Sequence, residues 1–144
     1  MPKVSIYIAT NYKSPAQKKG SSKYILEFIL QSGEPVTREE FLEHEGTQQE
    51  AVLDTILTAL KRLKKRVDIT IFLEKCTVLN AWKNGWVEEW RWNKYKSKKG
   101  TPIKDAEKYK QIVDNIVDNN HQLQVEEGLG EYEMYLKSEL EEKE

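Results

Sequence analysis

Apolar and polar residues alternate from Val4 to Thr10 (VSIYIAT), a segment rich in β-branched and aromatic side chains, and this period of two predicts a first strand. Asn11 to Ser22 carries Pro15 and Gly20 together with Lys13, Lys18 and Lys19, and reads as a basic turn region. Lys23 to Leu30 (KYILEFIL) predicts strand two. Gln31-Ser32-Gly33-Glu34-Pro35 marks the next turn, and Val36 to Leu42 is a weaker third strand with Pro35 at its start.

The period then changes. Thr47-Gln48-Gln49-Glu50 has the capping-box spacing, in which the Thr hydroxyl and the Glu carboxylate each satisfy an orphan N–H at a helix start. Leu53, Ile56, Leu57, Leu60 and Leu63 follow at helical spacing as a core-facing stripe. Lys61, Arg62, Lys64, Lys65 and Arg66 complement the negative end of that helix. Val67 to Leu73 (VDITIFL) predicts a fourth strand, central because it is so apolar. A short helix is expected over Thr77 to Asn84, stopped by Gly85, and a second from Trp86 to Trp92. Gly100, Thr101 and Pro102 end the segment that follows. Asp105 is a candidate cap for a helix with the stripe Ala106, Tyr109, Ile112, Val113, Ile116 and Val117. Leu123 to Val125 is a short candidate fifth strand. Tyr132 to Leu140 predicts a terminal helix fraying into Glu141-Glu142-Lys143-Glu144.

An antiparallel meander followed by a β-α-β crossover gives an α/β fold: a five-stranded mixed sheet with helices on both faces. The 144 residues suit one domain, 1–144, with an acidic C-terminal helix or tail over 127–144. No apolar run approaches the roughly 20 residues that span a bilayer, so no membrane association is expected. The single Cys76 excludes an internal disulfide, and a reducing, cytoplasmic location is the expectation. Net charge is only −1, but it is unevenly spread. Arg91, Lys94, Lys96, Lys98, Lys99 and Lys104 fall in one stretch without an acid, whereas glutamates dominate from Glu126 onward. The first stretch attracts phosphate and the second repels it.

Several of these pieces, in this order, resemble the type 1 ribonuclease H family. Thr47-Gln48-Gln49 is similar to the family's Thr-Asn-Asn at the start of its first helix, and Ala59-Leu60-x-x-Leu63 to that helix's end. Val67 to Leu73 resembles the central strand. Trp86-x-x-x-Trp90, then Tyr95 where the family usually has Trp, then Lys96, resembles its basic protrusion, or handle. Pro102-Ile103-Lys104-Asp105 with Tyr109 is similar to the family's Pro-Val-Lys-Asn and the Trp that follows. The resemblance is strongest from Thr47 to Ile112 and implies a ribonuclease H-like fold. It also implies cleavage of the RNA strand of an RNA–DNA hybrid, with two Mg²⁺ ions held by four carboxylates. One ion activates water and the other stabilises the leaving oxygen.

Carried over position by position, the carboxylates are largely missing. The first falls on Ala9, with neutral Asn11 two residues on, and the second on Val52. Glu50 is close in sequence to Val52, but on a helix it points elsewhere, and capping is its expected role. The third matches Glu74, one methylene longer, the weak candidate for a residual metal ligand; its plainer reading is a solvated carboxylate at a strand end. The fourth has no clear match, with Glu131 and Glu133 the nearby acids. No intact catalytic set, no metal site and no cofactor are expected. Mg²⁺ or Mn²⁺ would matter only for residual endoribonuclease activity from relocated carboxylates, the third of the readings below. His44 and His121 are isolated and read as surface residues. Cys76 begins a helix, which favours a lowered pKa, although a small buried residue is the plainer reading.

Binding does not require the metals. Trp90, Trp92 and Tyr95 interleave with Arg91, Lys94, Lys96, Lys98 and Lys99, so cations stand ready for phosphates and aromatics for stacking. Trp82, Trp86 and Trp90 lie four apart, and at least two of the three are expected to pack against the sheet. Gln48 and Gln49 replace residues that reach the minor groove, and Lys104 extends the basic set. The leading expectation is a nucleic-acid-binding protein for RNA–DNA hybrid or duplex, with nuclease activity lost. The second is a protein-interaction module in which a partner, or a second copy of the chain, meets the acidic tail through Tyr132, Met134, Tyr135 and Leu136. The third is an active nuclease with a relocated site.

Overall fold

The computed structural model describes residues 2–143. Strands β1 (Lys3–Thr10), β2 (Gly20–Ile29) and β3 (Pro35–His44) form the antiparallel meander. Helix α1 (Gln48–Leu60) crosses to β4 (Asp68–Leu73), which lies parallel to β1. Helices α2 (Thr77–Lys83), α3 (Trp86–Trp92) and α4 (Ala106–Asp118) lead to β5 (Gln122–Glu127), parallel to β4. A 3-10 turn (Gly130–Tyr132) then enters α5 (Glu133–Glu141). The strand order β3-β2-β1-β4-β5 is the mixed five-stranded sheet that the alternation and the crossover predict.

Alternation along β1 explains the layers. Val4, Ile6 and Ile8 join Tyr24, Leu26, Ile69, Ile71 and Leu73 in the larger core, under Leu53, Ile56 and Leu60 of α1 and Tyr109 and Ile112 of α4. Ala9 and Ile25 face the other way, where Leu129, Leu136 and Leu140 cover them. Helices thus occupy both faces of the sheet. No described helix is long and apolar enough to cross a membrane.

The differences from expectation are local. Strand β2 starts at Gly20 rather than Lys23, because Asn11 pins Ser21 twice: Asn11 N–H donates to the Ser21 carbonyl at 3.1 Å, and Asn11 Oδ1 accepts from Ser21 N–H at 2.8 Å. Gly20 itself is needed there, since a Cβ would come within 2.6 Å of the Tyr12 ring. Strand β3 runs on to His44 because its pairing with β2 continues to Gly20. Strand β4 is interior, flanked by β1 and β5, while β1 takes the middle of the sheet. Helix α1 ends at Leu60, so Leu63 and the cations after Lys61 lie outside it. Arg62 bonds the Tyr24 hydroxyl and Glu40 rather than facing the helix end. Gly85, at φ 76°, separates α2 from α3, so the tryptophans do not share one helix face. Asp105 sits at the N-cap position of α4 but makes no capping hydrogen bond; its φ of 59° turns its carboxylate elsewhere. The terminal element begins as a 3-10 turn, with Tyr132 preceding α5. Of the expected frayed end, Glu141 closes α5, and Glu144 lies outside the described residues.

Candidate functional site

The parallel register of β1 and β4 pairs Ile8 with Leu73, so the next step out brings Ala9 and Glu74 side by side at the strand ends. A cleft of about 280 Å³ opens there, lined by Thr10, Asn11, Lys13, Glu74, Lys137 and Glu141 among others. Ala9 is 1 % exposed and packs into the α5-side core; Val52 is 3 % exposed within the larger one. Neither position offers an oxygen donor. Glu74 Oε2 accepts a hydrogen bond from Lys137 Nζ at 2.7 Å, and the pairing raises the pKa of the lysine. Glu131 and Glu133 do not line the cleft; the acid that α5 contributes is Glu141. Lys137 and Glu141 escaped sequence reasoning because nothing local marks which turn of a polar helix will face a strand end.

The start of α1 is built as its sequence predicts. Glu50 N–H donates to Thr47 Oγ1, and Thr47 N–H donates to Glu50 Oε1, both at 3.3 Å. Glu50 is thereby engaged in the cap. Gln48 and Gln49 line a recess of about 160 Å³ with Pro15, Cys76, Thr77 and Lys104. Gln49 is tied down: its Nε2 donates to Asp105 Oδ2 at 2.8 Å. Lys104 therefore belongs beside this helix start rather than with the cations of the handle. Burial raises the Cys76 pKa, contrary to the lowering expected from its place before α2.

The handle separates its aromatics into two groups. Trp90 meets Tyr109 edge-on at 5.2 Å between ring centroids, and Trp82 packs on the same tyrosine at 5.6 Å. Tyr95 is buried, with its N–H donating to the Trp90 carbonyl at 2.6 Å. Tyr95 is thus a core residue and presents no face for stacking, which corrects its expected role, while Trp90 is partly buried with its ring engaged by Tyr109. The exposed aromatics are Trp86, at 41 %, and Trp92, at 75 %. Trp92 lies under the Arg91 guanidinium at 5.1 Å and donates its indole N–H to Glu88 at 2.8 Å. Lys94, Lys96, Lys98 and Lys99 are all exposed. A tight turn presents the last two: Ser97 N–H donates to the Thr101 carbonyl at 2.7 Å.

Both histidines are buried rather than at the surface. His44 Nε2 bonds Ser22 Oγ at 2.7 Å, and His121 Nδ1 accepts the Val67 N–H at 3.1 Å. Burial lowers the pKa of each. The acidic helix α5 is docked, since Leu136 and Leu140 are core. The Tyr132 and Tyr135 hydroxyls donate to Glu27 and Glu39, and Lys23 bridges Glu39 and Glu139 at 3.0 and 2.7 Å. Of the tail residues expected to meet a partner, Leu136 is therefore unavailable, while Met134 is 85 % exposed. Among the described residues, no group of three or more His, Cys, Asp or Glu side chains is placed to hold a metal ion.

Comparison with known proteins agrees with this architecture. No family model matches the chain. Ribonuclease H from Thermoanaerobacter sp. (strain X514) is 27 % identical over 81 residues, which is 56 % of this chain and 51 % of that protein. The chain thus matches about half the length of its curated relatives. Among solved structures, LC9-RNase H1, described as a type 1 RNase H with the type 2 active-site motif, superposes with a TM-score of 0.74. Its identity is 16 %, over 95 % of this chain and 69 % of that one. The foamy viral protease-reverse transcriptase in complex with RNA/DNA hybrid superposes with a TM-score of 0.63. Its identity is 17 %, over 96 % of this chain and 19 % of the other.

Proposed function

We propose, from the premise that the chain is ribonuclease H-like, that it binds double-helical nucleic acid, with RNA–DNA hybrid as the leading candidate, and does not cleave it. The observation that carries this reading is the state of the cleft at the ends of β1 and β4. Ala9 and Val52 are buried and apolar, and Glu74 is already neutralised by Lys137 at 2.7 Å. Mg²⁺ is held by carboxylates and phosphate in near-octahedral oxygen geometry. A pair of such ions needs several carboxylates converging on one point. This donor set does not fit them: one acid is paired with an ammonium, and the other, Glu141, comes from the last turn of α5.

Binding is supported by what remains. Lys94, Lys96, Lys98 and Lys99 stand exposed on the handle, Arg91 and Trp92 form an adjacent cation–aromatic pair, and Gln48 and Lys104 line the recess at the start of α1. Phosphate neutralisation by such cations is independent of sequence and strongly salt-dependent. The test is a labelled RNA–DNA hybrid incubated with Mg²⁺ or Mn²⁺, with binding measured in parallel at two salt concentrations. Salt-sensitive binding without cleavage is the expected result. Cleavage lost in Glu74→Ala would overturn the reading and point to a rebuilt active site.

A second reading, a protein partner meeting the acidic segment 127–144, keeps one specific observation in its favour: Met134 projects from α5 almost fully exposed. Deleting the segment would remove Leu136 and Leu140 from the core. Met134→Asp is the cleaner probe, and a partner retained by that variant counts against this reading.

A further inference from the structure

A second cavity lies outside the cleft described above. It measures about 540 Å³ and opens between the β1–β2 connection, the end of β3 and the end of α5. Its lining divides by chemistry: Lys13, Lys19 and Lys143 supply ammonium groups, and Glu43 and Glu45 supply carboxylates. His44, buried at the end of β3, also contributes to the wall.

The hydrogen-bond chain behind His44 fixes what its ring offers. Thr55 Oγ1 lies 2.6 Å from the Ala51 carbonyl, which can only accept, so the Thr55 hydroxyl proton points there. Ser22 Oγ, 2.6 Å from Thr55 Oγ1, must then donate to Thr55. Ser22 consequently accepts from His44 Nε2–H at 2.7 Å. This tautomer leaves Nδ1 as an acceptor. Nδ1 has no hydrogen-bond partner among the described residues. Burial lowers the His44 pKa, which keeps the ring neutral and Nδ1 an acceptor near pH 7.

We propose that this cavity binds a nucleotide carrying a terminal phosphate monoester. The ammonium groups match the phosphate, and the acceptors (Glu43, Glu45 and His44 Nδ1) match sugar hydroxyls and base amino groups. A simple anion would leave the carboxylates as repulsive neighbours, and a simple cation would leave the lysines so. A nucleotide presents both kinds of group. The volume lies in the range of pockets that enclose small ligands. The cavity shares Asn11 and Lys13 with the cleft at the strand ends, so the end of a bound strand could supply the nucleotide as well as a free one. The free-nucleotide arm does not rest on the duplex-binding reading.

The experiment is calorimetric titration of the full chain with adenosine 5′-monophosphate, with adenosine and inorganic phosphate as comparators. A second arm compares 5′-phosphorylated and 5′-hydroxyl single strands of one sequence. Saturable binding of the monophosphate is expected, with Kd below about 1 mM. It should weaken at least tenfold in Lys19→Glu, an exposed position that leaves the fold intact, and in His44→Gln. Lys65→Glu, the same charge change at an exposed position outside the cavity, should not change it. Preference for the phosphorylated strand identifies a strand end as the source of the ligand; equal binding of both strands identifies a free nucleotide. The proposal is overturned if the monophosphate shows no saturable binding, or if its affinity is the same in Lys19→Glu.

Discussion

Lys137 Nζ lies 2.7 Å from Glu74 Oε2, so a lysine of the last helix covers the carboxylate that follows β4. The pair is partly exposed, with Lys137 at 52 % and Glu74 at 35 % of their side-chain surfaces. Ion pairs of that exposure contribute about 0–1 kcal/mol. Lys137→Ala should therefore shift a urea midpoint only slightly. It should also leave hybrid cleavage absent in Mn²⁺, because Ala9 and Val52 still provide no donor. Cleavage gained by this single change would mean that the lysine, rather than the missing carboxylates, is what suppresses the chemistry.

The handle makes a sharper distinction between neighbouring aromatics. Trp90 is partly buried and packs on Tyr109, so Trp90→Ala should cost about 1–3 kcal/mol of stability. Trp92 is 75 % exposed, so Trp92→Ala should leave the melting temperature nearly unchanged and weaken nucleic-acid binding. Lys96→Glu and Lys98→Glu should weaken binding across sequences and reduce the salt slope by about 1 for each phosphate no longer neutralised. Filter binding at several salt concentrations reads both effects. An unchanged slope in both lysine variants would remove the handle from the interface.

The acidic helix is part of the folded domain. Leu136 is fully buried against Ala9 and Ile25, so Leu136→Ala should destabilise by about 2–5 kcal/mol in denaturant melts. Met134→Ala, on the solvent side, should fall within about 0.5 kcal/mol of the parent. Similar small effects in both variants would mean that α5 is not docked in solution.

The strands and α1 were legible because their signals are local. Alternation fixed the faces of β1, and the Thr47–Glu50 spacing fixed the start of α1, where both reciprocal hydrogen bonds are formed. Asp105 misled because capping depends on backbone conformation: at a φ of 59° its carboxylate reaches Gln49 instead. That positions 9 and 52 carry no carboxylate could also be read from sequence, since it depends only on residue type. Lys137 opposite Glu74 could not, because the contact joins residues 63 positions apart through the placement of α5. Tyr95 shows the same limit from the other side. A run of cations around it suggested an exposed segment, yet its φ of 60° and its bond to Trp90 turn the ring inward.

His121 sets a pH dependence whose sign is fixed by its hydrogen bond. Nδ1 accepts the Val67 N–H, which only the unprotonated nitrogen can do, and Nε2 is buried without a partner among the described residues. Burial holds the folded pKa below the ordinary value of 6.5, while the unfolded chain titrates at that value. As pH falls below about 6.5 the unfolded state takes up protons first, so stability present above that value is lost on acidification. His44, also depressed by burial, adds in the same direction. Urea melts at about pH 7.5 and about pH 5.5 should therefore show a lower midpoint at the acid value. His121→Asn offers an amide oxygen to the Val67 N–H and removes the titration, so the difference between the two midpoints should shrink. A difference as large in His121→Asn as in the parent would assign the pH dependence to His44 or to the carboxylates.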